Sequence, residues 1–87
     1  MAYRVRIKSS ARKELAALPR GEQRKVARAI NKLAEEPRHE QTRKLAGQDG
    51  KRRVRAGDYR ILYYIIDDEV IVFVVAVRHR KDVYRRK

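Results

Sequence analysis

The first residues of the chain alternate between apolar and cationic side chains. Tyr3, Val5 and Ile7 are each followed by a cation, namely Arg4, Arg6 and Lys8. A period of two is the period of a β-strand, whose successive side chains point to opposite faces of a sheet. The segment Ala2–Lys8 is therefore predicted to be a strand with one buried and one solvated face.

A longer spacing follows, in which apolar residues recur every three or four positions. The two stripes are Ala11, Leu15 and Leu18, and then Val26, Ile30 and Leu33. This spacing predicts two amphipathic helices, one over Ala11–Leu18 and one from about Glu22 to Glu36. Ser9 and Ser10 offer an N-cap oxygen to the first helix, and Pro37 ends the second. Two helices joined by a short connection form a helical hairpin that can pack on a sheet.

The stretch Lys51–Tyr64 predicts a β-hairpin, around which the rest of the chain is organised. Gly57-Asp58 is a favoured two-residue loop, because glycine accepts the positive φ required at the first central position of a type II′ turn. With this loop, Ala56 faces Tyr59, Arg55 faces Arg60, Val54 faces Ile61 and Arg53 faces Leu62. One face of the hairpin is then apolar, with Val54, Ala56, Tyr59, Ile61, Tyr63 and Ile65. The other face carries Lys51, Arg53, Arg55 and Arg60, with Leu62 and Tyr64 beyond them.

The cationic face of this hairpin has two interpretations. Arg55 directly opposite Arg60 destabilises a hairpin, and this favours an anion that binds there. Lys and Arg on the solvated face of a sheet are also ordinary in a basic protein. The sequence leaves both interpretations open.

The remaining segments predict a polar loop over Arg38–Asp49, a turn at Asp67–Glu69 and a strand over Val70–Val77. The strand is apolar at every position, which is typical of a strand that is covered on both faces and central in its sheet. The order of elements is β-α-α-β-β-β. It predicts an α+β fold in which the helical hairpin packs on a four-stranded, mainly antiparallel, twisted sheet.

Composition limits the possible functions. The chain has 87 residues, which suits a single domain over residues 1–87, and its formal net charge is +13. This charge indicates a polyanionic partner: a nucleic acid, an acidic protein or an anionic membrane. The absence of cysteine excludes disulfides and cysteine-ligated zinc, and His39 and His79 are too far apart for a recognisable metal motif. The longest apolar run has eight residues and no apolar segment follows Met1, so we expect a cytoplasmic protein without a membrane span.

Four segments in this order carry a family resemblance: Lys44-Leu45-Ala46-Gly47, the hairpin core Arg53–Tyr63, the turn Ile66–Val70, and His79-Arg80-Lys81-Asp82-Val83-Tyr84. Together with the order of elements, they resemble the RelE/ParE superfamily of small toxins from bacterial and archaeal toxin–antitoxin pairs. The resemblance covers nearly the whole chain.

The resemblance implies one of two activities. Toxins of the RelE branch cleave messenger RNA in the A site of the 70S ribosome without a metal ion or other cofactor, and so inhibit translation. They are neutralised by an acidic RelB-like antitoxin, and operator DNA is bound only by the toxin–antitoxin complex. Toxins of the ParE branch share the fold but inhibit DNA gyrase and lack the ribonuclease residues. The resemblance favours the RelE branch, with the ParE branch as the alternative.

The resemblance also implies a set of catalytic residues. Lys51, Arg53 and Arg60 stand where RelE enzymes carry two lysines and an arginine, and Arg78 and Tyr84 stand where they carry a further arginine and a C-terminal tyrosine. Arg53 departs from this pattern, because an arginine does not deprotonate at useful pH. A shift of two places would put Arg80 in the position of Arg78.

Metal-free RNA cleavage needs a base for the ribose 2′-hydroxyl, cations for the charge on phosphorus and an acid for the leaving oxygen. Arginines suit the second task, since their planar donors bind phosphate and stay charged. We expect Arg60 to lead in this role, with Arg53, Arg55 and Arg78 beside it. Lys51, Tyr84 and His79 remain alternatives for the base. Further RNA contacts are expected from Arg55, Tyr64, His79, Arg80 and Lys81.

Overall fold

The computed structural model describes residues 2–47 and 49–81, which form two helices and five strands. The strands are β1 (Arg4–Ile7), β2 (Thr42–Lys44), β3 (Arg52–Ala56), β4 (Tyr59–Ile66) and β5 (Ile71–His79). The helices are α1 (Ser9–Ala16) and α2 (Arg20–Glu35), and a short 3₁₀ helix (Asp67–Glu69) connects β4 to β5. The α+β class and the packing of a helical hairpin on a sheet are confirmed.

The sheet has one strand more than the sequence predicted. Its order is β1-β5-β4-β3-β2, and three of the four pairings are antiparallel, while β1 runs parallel to β5. The prediction that Arg38–Asp49 is entirely loop was wrong, because Thr42–Lys44 pairs with Arg52–Val54 as strand β2. Three polar residues carry no hydrophobic alternation, so only pairing with β3 makes this segment a strand.

The central hairpin has the predicted register. Ala56 pairs with Tyr59 and Arg55 with Arg60, and Gly57 has a φ of +62°. A positive φ at the first loop position is the conformation that a type II′ turn requires of its glycine. The local pattern of turn residues and alternation was therefore sufficient to determine this part of the fold.

The two helices differ slightly from their predicted bounds. α1 begins at Ser9 with Lys8 in the N-cap position, and no side-chain hydrogen bond caps it. The prediction of a serine N-cap was therefore wrong. α2 begins immediately after Pro19 and ends at Glu35, close to the predicted Glu22 and Glu36.

Both helices pack on one face of the sheet, which we call the helix face. Its core joins helix residues to strand residues that lie at alternate positions: Ala11, Val26, Ile30, Leu33, Val54, Ala56, Ile61, Tyr63, Val72, Val74 and Val77. The opposite face, which we call the open face, is not covered by α1 or α2. Strand β5 is flanked by β1 and β4, as expected of a central strand, although the helices cover only one of its faces.

The pairing of β4 with β5 contains one irregularity. Leu62 pairs with Ala76 and Tyr63 with Val74, so Val75 is an extra residue on β5. Such a bulge shifts the alternation of a strand by one position. As a result Val77 and Val74 both face the helices, while Ala76 and Arg78 share the open face with Leu62 and Arg60. Among the described residues, neither helix has the length and apolar character needed to cross a membrane.

Candidate active site

Three arginines from three adjacent strands form a row across the open face near the hairpin loop. Arg60 on β4 pairs with Arg55 on β3 and with Arg78 on β5. Directly opposed residues in antiparallel strands have Cα atoms about 4.5–5.5 Å apart, and their side chains share a face. The fold therefore brings these cations, which we call the arginine row, into one line. Such a line of guanidinium groups is suited to bind a phosphodiester.

The position of the arginine row is fixed by the buried residues that alternate with its members along the strands. Ile61 and Tyr63 alternate with Arg60 and Leu62 along β4, and both have no exposed surface. Arg60 is half-buried, while Arg55 and Arg78 are exposed. A guanidinium on a strand whose other face is locked in the core is mounted more rigidly than one on a loop.

A carboxylate that the sequence analysis did not consider contacts one end of the row. The two carboxylate oxygens of Glu14 on α1 accept hydrogen bonds from the backbone N–H of Val77 (2.8 Å) and from Nε of Arg78 (2.9 Å). Strand β1 pairs with β5 only as far as Val74, so Glu14 occupies the edge of β5 beyond β1. A signal was present in the sequence, since Glu14 lies three residues after Ala11 and four before Leu18, on the apolar stripe of α1.

A second row of the open face mixes apolar and cationic residues. Arg53 pairs with Leu62 and with Arg43 on β2, and Leu62 pairs with Ala76 on β5. Arg53 therefore lies on the same face as the arginine row and two pairs further from the loop. This agrees with the predicted face for Arg53.

Lys51 and Tyr64 lie at the far side of this second row. Tyr64 pairs with Phe73 and follows Leu62 by two positions, so it belongs to the open face. Lys51 immediately precedes β3 and is half-buried. Its backbone carbonyl accepts a hydrogen bond from the backbone N–H of Leu45 (2.8 Å). A methyl group built on Gly50 would lie 3.9 Å from Cδ1 of Tyr64, so the backbone before Lys51 passes close to that ring.

His79 is separated from the arginine row by the sheet. It pairs with Tyr59 on the helix side of the strands, and the two rings meet edge to face with centroids 5.2 Å apart. Its Nδ1 accepts the backbone N–H of Lys81 (3.1 Å). Arg80 and Lys81 are exposed at the end of β5, where the N–H of Arg80 donates to the carbonyl of Asp58 in the hairpin loop (2.7 Å). Tyr84 lies outside the described residues.

At the opposite end of the sheet, Arg38, Asp67 and Tyr3 form a hydrogen-bonded cluster in which the pKa values of Arg38 and Asp67 differ from their ordinary values. Arg38 donates to both carboxylate oxygens of Asp67 (2.8 and 3.2 Å), and the hydroxyl of Tyr3 donates to one of them (2.9 Å). These hydrogen bonds lower the pKa of Asp67, and the bond to Asp67 raises the pKa of Arg38. In a separate loop, partial burial and the charge of Lys32 lower the pKa of His39.

No group of three His, Cys, Asp or Glu side chains within residues 2–47 and 49–81 is placed to hold a metal ion.

Comparisons with known proteins all point to one group of toxins. Residues 5–84 match the family described as the ParE toxin of the type II toxin–antitoxin system parDE. The chain is 40% identical to the toxin RelG of Mycobacterium tuberculosis, with 99% of this chain and 100% of that protein aligned. It is 34% identical to the mRNA interferase toxin RelE of Escherichia coli, with 97% and 92% aligned.

A solved structure supports the same grouping. The chain resembles a chain of the toxin–antitoxin complex RelBE2 of Mycobacterium tuberculosis with a TM-score of 0.81 and 33% identity. The alignment covers 92% of this chain and 93% of the other. The similarity therefore extends over nearly the whole chain.

Proposed function

The chain belongs to the RelE/ParE superfamily of toxins from type II toxin–antitoxin systems, and we propose that it is an endoribonuclease that cleaves messenger RNA in the ribosomal A site. The observation that carries this proposal is the arginine row of Arg55, Arg60 and Arg78 on one open sheet face. The related RelE protein of Escherichia coli is named an mRNA interferase, and this supports the same activity. Cleavage of messenger RNA on cytoplasmic ribosomes would inhibit translation.

The proposed reaction is an in-line attack of a ribose 2′-hydroxyl on the adjacent phosphorus. The 2′-hydroxyl gives its proton to a base and its oxygen forms a bond to phosphorus. The bond to the 5′-oxygen breaks, an acid protonates that leaving oxygen, and a 2′,3′-cyclic phosphate is left. Negative charge develops on the phosphoryl oxygens, where the guanidinium groups of Arg60, Arg55 and Arg78 stabilise it. Arg53 lies two pairs away on the same face and adds to the positive potential. No metal ion is required in this scheme, because the arginines supply the charge.

The proton transfers fall to residues outside the arginine row. Lys51, which precedes β3 on the open face, is one candidate for the base that the family resemblance supports. Tyr84 is the other candidate that the family resemblance supports. His79 is the weakest of the three, because the sheet separates it from the arginine row. Tyr64, on the open face, is available to stack on an unpaired base.

The proposed partner that restrains this activity is an acidic RelB-like antitoxin. A net charge of +13 on 87 residues is what one acidic chain would neutralise. A related structure is a toxin–antitoxin complex, which supports the existence of such a partner. Operator DNA would be bound by that complex and not by the toxin alone.

The test is the substitution Arg60→Ala. Loss of one preorganised charge-stabilising donor costs on the order of a hundredfold to a thousandfold in rate. Single-turnover cleavage of messenger RNA on ribosomes should fall by that factor. The variant should remain folded, because Arg60 lies on the open face and the buried alternation of Ile61 and Tyr63 is unchanged.

The matched control is Arg12→Ala, on the exposed side of α1. It should change neither rate nor stability, since it removes the same charge from an exposed helix position that is not on the open face. Cleavage by Arg60→Ala at the wild-type rate would refute the active site proposed here. Unfolding of that variant would mean that Arg60 is required for the fold.

A second candidate function is inhibition of DNA gyrase without RNA cleavage. The family description that matches residues 5–84 names ParE toxins, and this observation favours it. Purified protein that blocks gyrase supercoiling and leaves ribosome-bound RNA intact would establish this function in place of the first.

A further inference from the structure

Strand β2 leaves part of its neighbour β3 uncovered. The pairing of β2 with β3 ends at Thr42 and Val54, so Arg55, Ala56 and the Gly57 turn project past β2. A cavity of about 310 Å³ lies between this end of β3 and α2, and its helix wall is formed by Lys25, Arg28, Ala29 and Lys32. His39 and Gln41 close it from the loop that follows α2.

A second cavity continues the first around the edge of the sheet. It measures about 630 Å³ and is lined by Arg43 and Arg53 on the open face. The two cavities share four lining residues, Gln41, Val54, Arg55 and Gly57. They therefore form one groove, which we call the hairpin-edge groove. It starts beside the arginine row, since Arg55 belongs to both, and it ends on α2.

Cations occupy both walls of this groove. Lys25, Arg28 and Lys32 are spaced three and four residues apart, so they lie on one stripe that extends about 10 Å along the helix. Lys25 approaches Glu22 at 3.8 Å, but both side chains are partly exposed and such a pair contributes little. One carboxylate, Glu40, lines the open-face cavity. The balance of charge in the groove is strongly positive.

We propose that the hairpin-edge groove binds the RNA strand that continues from the cleaved phosphate, and guides its backbone past Arg55 onto α2. The inference rests on the proposed ribonuclease function and names the path of its substrate. A cationic groove that follows a backbone is the common way to bind single-stranded nucleic acid without reading sequence. An amphipathic acidic helix needs a row of apolar anchors instead. The α2 wall of this groove offers only the small Ala29 between its cations.

The test measures equilibrium binding of two single-stranded RNAs, of about 4 and about 16 nucleotides, across a range of salt concentrations. Both carry 2′-O-methyl groups, which block the attacking 2′-hydroxyl, so that they cannot be cleaved and binding is measured apart from catalysis. In the triple variant Lys25→Gln, Arg28→Gln, Lys32→Gln, the long RNA should bind more weakly. The slope of log K against log salt should fall by about two units, at about 0.7 for each lost phosphate contact. The short RNA, which reaches the arginine row only, should lose less.

The matched control removes three cations that do not line the groove, at the end of β1 and on α1: Lys8→Gln, Arg12→Gln, Lys13→Gln. Its slope for the long RNA should fall by less than one unit. Equal losses in the two triple variants would overturn the groove, because net charge alone would then explain binding. Equal losses for the short and the long RNA would overturn it as well. If the triple variant does not fold, Arg28→Gln alone should lower the slope by about 0.7.

Two further readouts locate the ligand and identify its class. His39 lines the groove, so phosphates bound beside Lys32 should raise the pKa of His39. Proton NMR titration of His39, with and without the long RNA, measures this change. An unchanged pKa would place the RNA elsewhere. A triple variant that keeps its affinity for RNA but loses affinity for a poly-glutamate peptide would assign the groove to an acidic protein and overturn the proposal. If Arg60→Ala cleaves at the wild-type rate but the triple variant binds the long RNA more weakly, the ribonuclease function is refuted and the groove remains supported as an RNA-binding site.

Discussion

The helix face of the sheet is stabilised by apolar packing, whereas the open face gathers charges that repel one another. On β4 the two environments alternate residue by residue. Ile61 and Tyr63 are fully buried against the helices, while Arg60, Leu62 and Tyr64 are only half-buried on the other side. The same strand therefore serves the core with one set of side chains and the candidate site with the other.

This contrast shows that the fold tolerates like charges side by side on the open face. Cations directly opposite each other in a sheet are unfavourable by a few tenths of a kcal/mol for each pair. Burial of a large apolar side chain is favourable by about 1.5–3 kcal/mol. One residue such as Ile61 therefore offsets several like-charge contacts in the arginine row. The core can therefore support a row of like charges, as the proposed ribonuclease requires.

The most direct way to break the comparison is to truncate neighbours on opposite faces. Ile61→Ala should reduce the free energy of unfolding by about 2–5 kcal/mol, because it leaves a cavity in the core. Leu62→Ala, at the next position on the open face, should cost about 1 kcal/mol or less. Urea unfolding of both variants measures the difference. Equal losses would mean that the open face is covered as well as the helix face.

A matched pair of tyrosines sharpens the comparison. The hydroxyl of Tyr63 donates to the carbonyl of Pro37 at 2.7 Å, and both residues are buried. Tyr63→Phe leaves that carbonyl without this donor and should cost about 1–3 kcal/mol. Tyr64→Phe on the open face should change stability by less than about 0.5 kcal/mol. A smaller loss for Tyr63→Phe than for Tyr64→Phe would contradict this assignment of faces.

The smallest expected effect concerns pH and lies away from both faces, at Asp67. Hydrogen bonds from Arg38 and then Tyr3 lower the pKa of Asp67 below its ordinary value of 3.8. A lowered carboxyl pKa stabilises the fold above the unfolded value, and this contribution is lost as the pH falls through the folded value. Asp67→Asn should therefore be less stable than the wild type at pH 7, and the difference should shrink as the pH falls below about 3.8.

Thermal unfolding from pH 7 to pH 2 measures this convergence. Asp68→Asn, at the exposed neighbouring position, is the control. A similar convergence in Asp68→Asn would show that the Arg38–Asp67–Tyr3 cluster is not its cause. Because both charged partners are exposed, added salt should weaken the effect.

The sequence by itself determined the central hairpin and the face on which its arginines lie. Gly57 marks the turn, and the alternation around Ile61 fixes the register, because a slip of one residue would expose the whole apolar set. Both signals are local, so they are visible in the chain without its partners. The pairing of Arg55 with Arg60 on one face followed directly from these two signals. The apolar stripes of the helices likewise predicted the ends of α1 and α2 to within a few residues.

Only the tertiary structure decided the features that depend on distant partners. Thr42–Lys44 becomes a strand because it pairs with the edge of β3. Strand β1 joins the sheet parallel to β5, and the paired residues Arg4 and Ile71 are 67 positions apart in the chain. The extra residue at Val75 places Arg78 beside Arg60, and puts His79 on the other face. The contact of Glu14 with Arg78 spans 64 positions. Local periodicity carries no information about such pairings, because they are selected by packing between segments that meet only in the folded chain.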